Sequence, residues 1–97
     1  MTITKKFENG VMDIALEGRL DTTTAPELEA ETKDLTGVTA LTFDFTNLEY
    51  ISSAGLRVLL GAQKVMSKQG GMVIKNVNDT IMEVFEITGF ADILSIE

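Results

Sequence analysis

From Val11 to Glu17, Met12, Ile14 and Leu16 alternate with Val11, Asp13, Ala15 and Glu17. This two-residue period sends one set of side chains inward and the other outward, as in a half-buried strand. The stretch Thr2–Phe7 reads as a second strand, joined to the first through Asn9-Gly10. That dipeptide tolerates positive φ and suits a tight turn, so the pair is predicted to form an antiparallel hairpin at a sheet edge.

Downstream the period changes. Asp21-Thr22-Thr23-Thr24 supplies capping oxygens ahead of Ala25-Pro26-Glu27, where proline suits the first helical turn and an acid suits its positive end. A helix to about Leu35 is predicted. Val38, Leu41, Phe43 and Phe45 among threonines predict a mostly buried strand over Val38–Phe45. Leu56, Leu59, Leu60, Gln63 and Met66 then recur at helical spacing, predicting a helix over Ala54–Lys68. Gly70-Gly71 ends it before a strand at Met72–Lys75. Asn78 is placed to cap a third helix, with Ile81, Met82, Val84 and Phe85 on its apolar face and Gly89 at its end. Ile93–Ile96 reads as a short final strand or a docked tail. The order β-β-α-β-α-β-α, with or without a closing strand, describes a small mixed α/β sheet. Its N-terminal hairpin is antiparallel, its later strands are parallel, and helices flank it.

With 97 residues and no repeat or linker, residues 1–97 are expected to form a single domain. Eight lysines and arginines against fifteen acids leave a net charge of −7. That balance repels polyphosphate and anionic lipid, so neither nucleic acid nor a membrane is an expected partner. The chain has no cysteine and no histidine, which removes disulfides, thiolate nucleophiles, zinc-cysteine sites and the usual general base. Met1–Gly10 carries Lys5, Lys6 and Glu8 without an apolar leader, and no run approaches the ~20 apolar residues of a membrane span. A soluble cytoplasmic protein is expected. Asp44 with Glu49, or Glu27 with Glu29 and Glu31, lack the loop spacing of a calcium site. Gly70-Gly71 follows a helix and precedes a strand, the reverse of a nucleotide-binding loop. Neither a metal nor a cofactor is expected, and Met66, Met72 and Met82 are read as core filling.

The stretch Asn47–Arg57 holds the candidate chemistry, because Ser52 and Ser53 fall in the turn between a buried strand and an amphipathic helix. A helix N-terminus has unpaired amides and partial positive charge, so a phosphate on a hydroxyl there would meet donors already aimed at it. Ala54 and Gly55 would leave room for a kinase or a partner surface. Equally, either serine can serve simply as the N-cap.

In order along nearly the whole chain, several motifs resemble the STAS domain of anti-sigma factor antagonists, whose site reads Asp-Ser-Ser/Thr-Gly/Ala-Leu before a helix. They are Gly18-Arg19-Leu20-Asp21, Phe43-Asp44-Phe45, Ser52-Ser53-Ala54-Gly55-Leu56, Gly70-Gly71 before Met72-Val73, and Phe85-Glu86-Ile87-Thr88-Gly89-Phe90. The resemblance implies a single STAS-like domain that is a substrate and not an enzyme. It places the phosphoacceptor at Ser53, with Ser52 as the alternative and standing where the family often has aspartate. It implies that Asp21 lies near the acceptor, as a loop-ordering or partner-contacting group whose bland role is a helix cap. Arg57 would pair with the phosphate or with Glu49, or stay a solvated surface residue. The implied partner-binding set is Asp21, Ser52, Ser53, Ala54, Gly55 and Arg57. The implied partners are an anti-sigma factor that is also a serine kinase, and a metal-dependent serine phosphatase. The alternative is a STAS docking subunit of a transport or signalling assembly without phosphorylation, which serine in place of aspartate at position 52 favours. An enzyme working by carboxylates alone would need a pair in recognisable context, and none stands out.

Overall fold

The computed structural model describes residues 1–97. Strands β1 (Thr2–Glu8) and β2 (Val11–Leu20) meet at Asn9-Gly10, whose φ values of 51° and 82° are both positive. A type I′ hairpin turn requires that pair of conformations, and its twist matches the strands it joins. There follow α1 (Ala25–Glu31), β3 (Ala40–Ile51), α2 (Ser53–Met66), β4 (Gly71–Lys75), α3 (Asp79–Thr88), one 3₁₀ turn (Phe90–Asp92) and β5 (Ser95–Ile96). The strands lie in the order β1-β2-β3-β4-β5, with β1 antiparallel to β2 and every other pair parallel. The mixed sheet expected from the hydrophobic pattern is therefore present, closing strand included. Of the predicted hairpin only β1 lies at an edge, because β2 pairs on both sides; β5 is the other edge strand.

Each parallel connection steps to the next strand in the same direction, and right-handed crossovers of that kind put all three helices on one face. Met12, Ile14 and Leu16 of β2, Leu41, Phe43 and Phe45 of β3, and Met72 and Ile74 of β4 are buried there. They form one core with Leu28 of α1, Leu59 and Met66 of α2, and Ile81 and Phe85 of α3. Phe43 and Phe45 meet edge to face, with ring centroids 6.2 Å apart. The opposite face is free of helices and carries Lys6, Asp13, Thr42, Asp44 and Lys75, the polar-out half of the alternation.

Several boundaries differ from the sequence expectation. Helix α1 stops at Glu31 and not near Leu35. Asp34 Oδ1 accepts the Thr36 amide at 3.0 Å, a local turn that competes with continued helix, although Leu35 and Val38 remain buried. The N-cap residue itself supplies no side-chain cap to α1; of the expected capping oxygens it is Asp21 Oδ1 that accepts amides, those of Thr23 and Thr24 just ahead of the helix. Thr24 is that N-cap, and its hydroxyl donates to the Arg19 carbonyl at 2.7 Å. Helix α2 begins at Ser53 and ends at Met66, slightly before the Lys68 expected, and its buried face uses Gly55, Val58 and Ala62 while Leu60 is only half-buried.

The largest difference is β3, which starts at Ala40 and runs on past Phe45 to Ile51. Its pairing with β2 slips twice: between Ala15 and Glu17 the partner advances from Asp44 to Asn47, and between Gly18 and Arg19 from Leu48 to Tyr50. Each slip is a bulge with one extra residue on β3. Leu41, Phe43 and Phe45 face the core at two-residue spacing, whereas Leu48 and Ile51 do so at three. Asn78 fits this irregular stretch: its Nδ2 donates to the Leu48 carbonyl at 3.0 Å while its Oδ1 caps α3 by accepting from the Ile81 amide at 2.8 Å.

Candidate functional site

Because β2 and β3 are parallel, their carboxyl ends lie side by side, the edge at which open α/β sheets present their functional loops. Leu20 pairs with Ile51, and the Ser52 amide donates to the Leu20 carbonyl at 2.9 Å. This ladder brings the turn beginning at Asp21 against the start of α2.

The two serines have different roles. Ser52 is extended (φ −101°, ψ 175°) and is the N-cap, its Oγ accepting from the Gly55 amide at 3.4 Å. Ser53 is the first residue of the helix and is exposed, and its hydroxyl makes no hydrogen bond within the protein. Ser53 thus carries a free nucleophilic oxygen beside the amides of an uncovered helix end.

Gly55 does not provide the open room expected of it. It is buried, and a Cβ added there would lie 2.7 Å from Leu20 Cγ and 3.0 Å from Ile51 Cγ1. Its missing side chain lets α2 sit directly on the ends of β2 and β3. Ala54 is half-buried and lines a shallow groove between α1 and α2 with Thr22, Pro26, Glu29 and Arg57. Arg57 is exposed and forms no ion pair, so the expected contact with Glu49 is not made. It stands one helical turn beyond Ser53 on the same side of α2.

Asp21 folds the turn ahead of α1. Its Oδ1 accepts from the amides of Thr23 at 3.0 Å and Thr24 at 3.1 Å, and from the Thr24 hydroxyl at 3.3 Å. No hydrogen bond or ion pair joins Asp21 to Ser52 or Ser53. The Thr24 amide, then the Thr23 amide, the Thr24 hydroxyl and the Arg19 charge hold its carboxyl below the ordinary aspartate value. A depressed folded-state pKa contributes stability that is present above the unfolded value and lost as pH falls through the folded one. A carboxyl NMR titration should accordingly place the Asp21 midpoint below 3.8. Asp21→Asn, which still accepts both amides, should flatten part of the acid limb of stability below about pH 4. A midpoint at or above the ordinary value would reject this account of the turn.

Arg19 and Tyr50 form a contact at this edge that the sequence pattern does not disclose. The Arg19 guanidinium carbon stands 4.3 Å from the Tyr50 ring centroid, a cation–π stack on the exposed rim of the same edge. Its Nε is 3.8 Å from Asp21 Oδ2, a loose ion pair too long for a hydrogen bond.

A one-sided mixed α/β domain, with a free serine at the start of a helix on its carboxyl edge, is the class of molecule this geometry defines. The chain belongs to the STAS domain family, whose model matches residues 2–97. It is 36% identical to the putative anti-sigma factor antagonist BtrV of Bordetella bronchiseptica, over 99% of this chain and 85% of that protein. It is 32% identical to the anti-sigma-B factor antagonist of Listeria monocytogenes, over 96% of this chain and 84% of that one. Its fold is similar to that of the Bacillus cell fate determinant SpoIIAA in the phosphorylated form. That match has a TM-score of 0.77 and 20% identity, covering 99% of this chain and 91% of SpoIIAA. No helix is long and apolar enough to cross a membrane.

Proposed function

We propose that this chain is an anti-sigma factor antagonist: it binds an anti-sigma factor that is also a serine kinase, and so frees the sigma factor. Phosphorylation of Ser53 ends that binding and a serine phosphatase restores it, the chain contributing no catalytic group. The observation that carries the reading is the division of labour between the serines. Ser52 is occupied as the cap, while Ser53 presents an unbonded, exposed hydroxyl at the helix end. Relatives at 36% and 32% identity that carry the antagonist name support it. Serine at position 52 still supplies the capping oxygen that an aspartate would, so the departure from the family pattern leaves the turn intact.

A phosphate adds about −1.5 to −2 charges, yet here it meets amides and the positive end of a dipole, so the fold should tolerate it. In a partner interface the same group must be desolvated against atoms that accepted a small hydroxyl, which costs several kcal/mol. Binding, not folding, is what the modification changes.

The test is incubation with ATP and the candidate kinase, with the phosphosite mapped by mass spectrometry. One phosphate is expected on Ser53. Ser53→Ala should abolish labelling yet keep binding, and Ser52→Ala should only slow labelling while costing about 1 kcal/mol of stability through the lost cap. Ser53→Asp should retain its melting temperature and lose at least ~10-fold in affinity by calorimetry, about 1.4 kcal/mol. Phosphate on Ser52 alone, or a Ser53→Asp variant that binds like the parent, overturns the switch. Binding without any labelling would instead point to a docking subunit.

A further inference from the structure

We infer that Arg19, held on the face of Tyr50, is an anchor that takes a carboxylate of the protein partner; this rests on the proposed role as a partner-binding domain. The stack exists because of the second bulge in β3. An unbroken register after Gly18–Leu48 would set Arg19 opposite Glu49, and the slip sets it opposite Tyr50 instead. The arginine is thereby fixed over a ring at 4.3 Å and kept out of a strong internal ion pair.

Its hydrogen-bonding capacity is unused. The guanidinium donates no hydrogen bond within the protein, and Asp21 is engaged through Oδ1 with the amides of its own turn. The planar fork therefore keeps donors for a partner on an exposed side chain that the Tyr50 ring already restrains, which lowers the entropy lost on binding. Such a fork matches a carboxylate in two-point geometry.

Its place is also telling. Arg19 and Arg57 are the chain's only arginines, the other six cations being lysines; Arg19 stands opposite Tyr50, three residues before Ser53, and Arg57 lies one helical turn after it. A polyanion would be repelled by the net charge of −7, whereas a single partner carboxylate meets the local cation at short range. Arginine and tyrosine are the side chains most often found as energetic anchors of protein interfaces. Tyr50 acts here as a positioning residue.

The experiment is calorimetric titration, at low and high salt, of the kinase-type anti-sigma factor that binds the parent chain. Arg19→Gln and Arg19→Lys are each expected to weaken binding at least ~10-fold, since lysine keeps the charge but has neither the fork nor the planar stack. Tyr50→Phe, which keeps the ring, should bind like the parent, and Tyr50→Leu should lose several-fold, all with unchanged melting temperatures. The salt dependence of the parent should be reduced in Arg19→Gln. Arg19→Gln within twofold of the parent overturns the anchor, and an Arg19→Lys variant that binds like the parent overturns two-point recognition. A parent chain that binds no such anti-sigma factor instead removes the proposed function itself, and the anchor with it.

Discussion

Replacing Gly70 with alanine is expected to lower the melting temperature by about 12–24 °C, while Gly71→Ala shifts it by less than about 4 °C. A Cβ on Gly70 would lie 1.7 Å from the Thr39 carbonyl oxygen and 2.7 Å from its carbon, whereas one on Gly71 meets nothing within 4 Å. The obstacle is backbone, and it cannot easily retreat. The Thr39 and Ala40 amides donate to the Gly10 carbonyl at 2.7 and 3.2 Å, tying the entry of β3 to the hairpin turn. From the other side Gln69 Nε2 donates to the carbonyls of Leu35 at 2.6 Å and Val38 at 2.8 Å. Relief must break some of these bonds, so a cost of about 3 kcal/mol, the upper part of the usual overpacking range, is expected. In a domain of this size each kcal/mol moves the midpoint by about 4–8 °C. Melts followed by circular dichroism decide it: equal shifts for the two glycines would mean that the close approach does not exist.

Gly70 shows what a linear pattern conveys and what it hides. Read along the chain, Gly70-Gly71 is a helix stop, and α2 does end just before it. That one of the two glycines must be glycine follows from a carbonyl supplied by a distant segment, which no local spacing signals. The same holds elsewhere. The Asn9-Gly10 hairpin and the Asn78 and Gly89 ends of α3 were legible because turn and cap chemistry is local. The second half of β3 was not, because its bulges break the alternation that marks a strand: after Phe45 the inward residues are Leu48 and Ile51, a spacing that resembles helix more than sheet.

The candidate site divides in the same way. Two hydroxyls between a strand and a helix are visible in the sequence, but which is the cap depends on the extended backbone at Ser52, a property of the folded turn. The nearness of the Asp21 turn to Ser52 requires the parallel pairing of Leu20 with Ile51. Gly55 looked like open space in the sequence and is a buried contact with Leu20. Arg19 lay inside a recognised motif, yet its tie to Tyr50 arises only through the slipped register. Local chemistry located the turn, and long-range pairing assigned the roles within it.

Leu59→Ala is expected to cost about 2–5 kcal/mol, and Leu60→Ala less than about 1 kcal/mol. Both leucines fit the apolar spacing of α2, but adjacent helical residues point about 100° apart, so only one can face the sheet squarely. Leu59 is completely buried where α2 packs on β3 and β4, in line with Leu56, Ala62 and Met66, whereas Leu60 is half-exposed. Truncating Leu59 leaves a cavity that close-packed neighbours fill only in part, while Leu60 gives up contacts that water already shares. Urea titration should show a lower midpoint for Leu59→Ala with an unchanged slope. A loss below about 0.5 kcal/mol, or a larger loss for Leu60, would mean that α2 is rotated about its axis. The consequence extends to the switch. The rotation that buries Leu59 also buries Gly55, one turn earlier, against Leu20, and leaves Ser53 and Arg57 together on the solvent side. The stabilities of the two leucine variants therefore test the orientation on which the exposure of Ser53 depends.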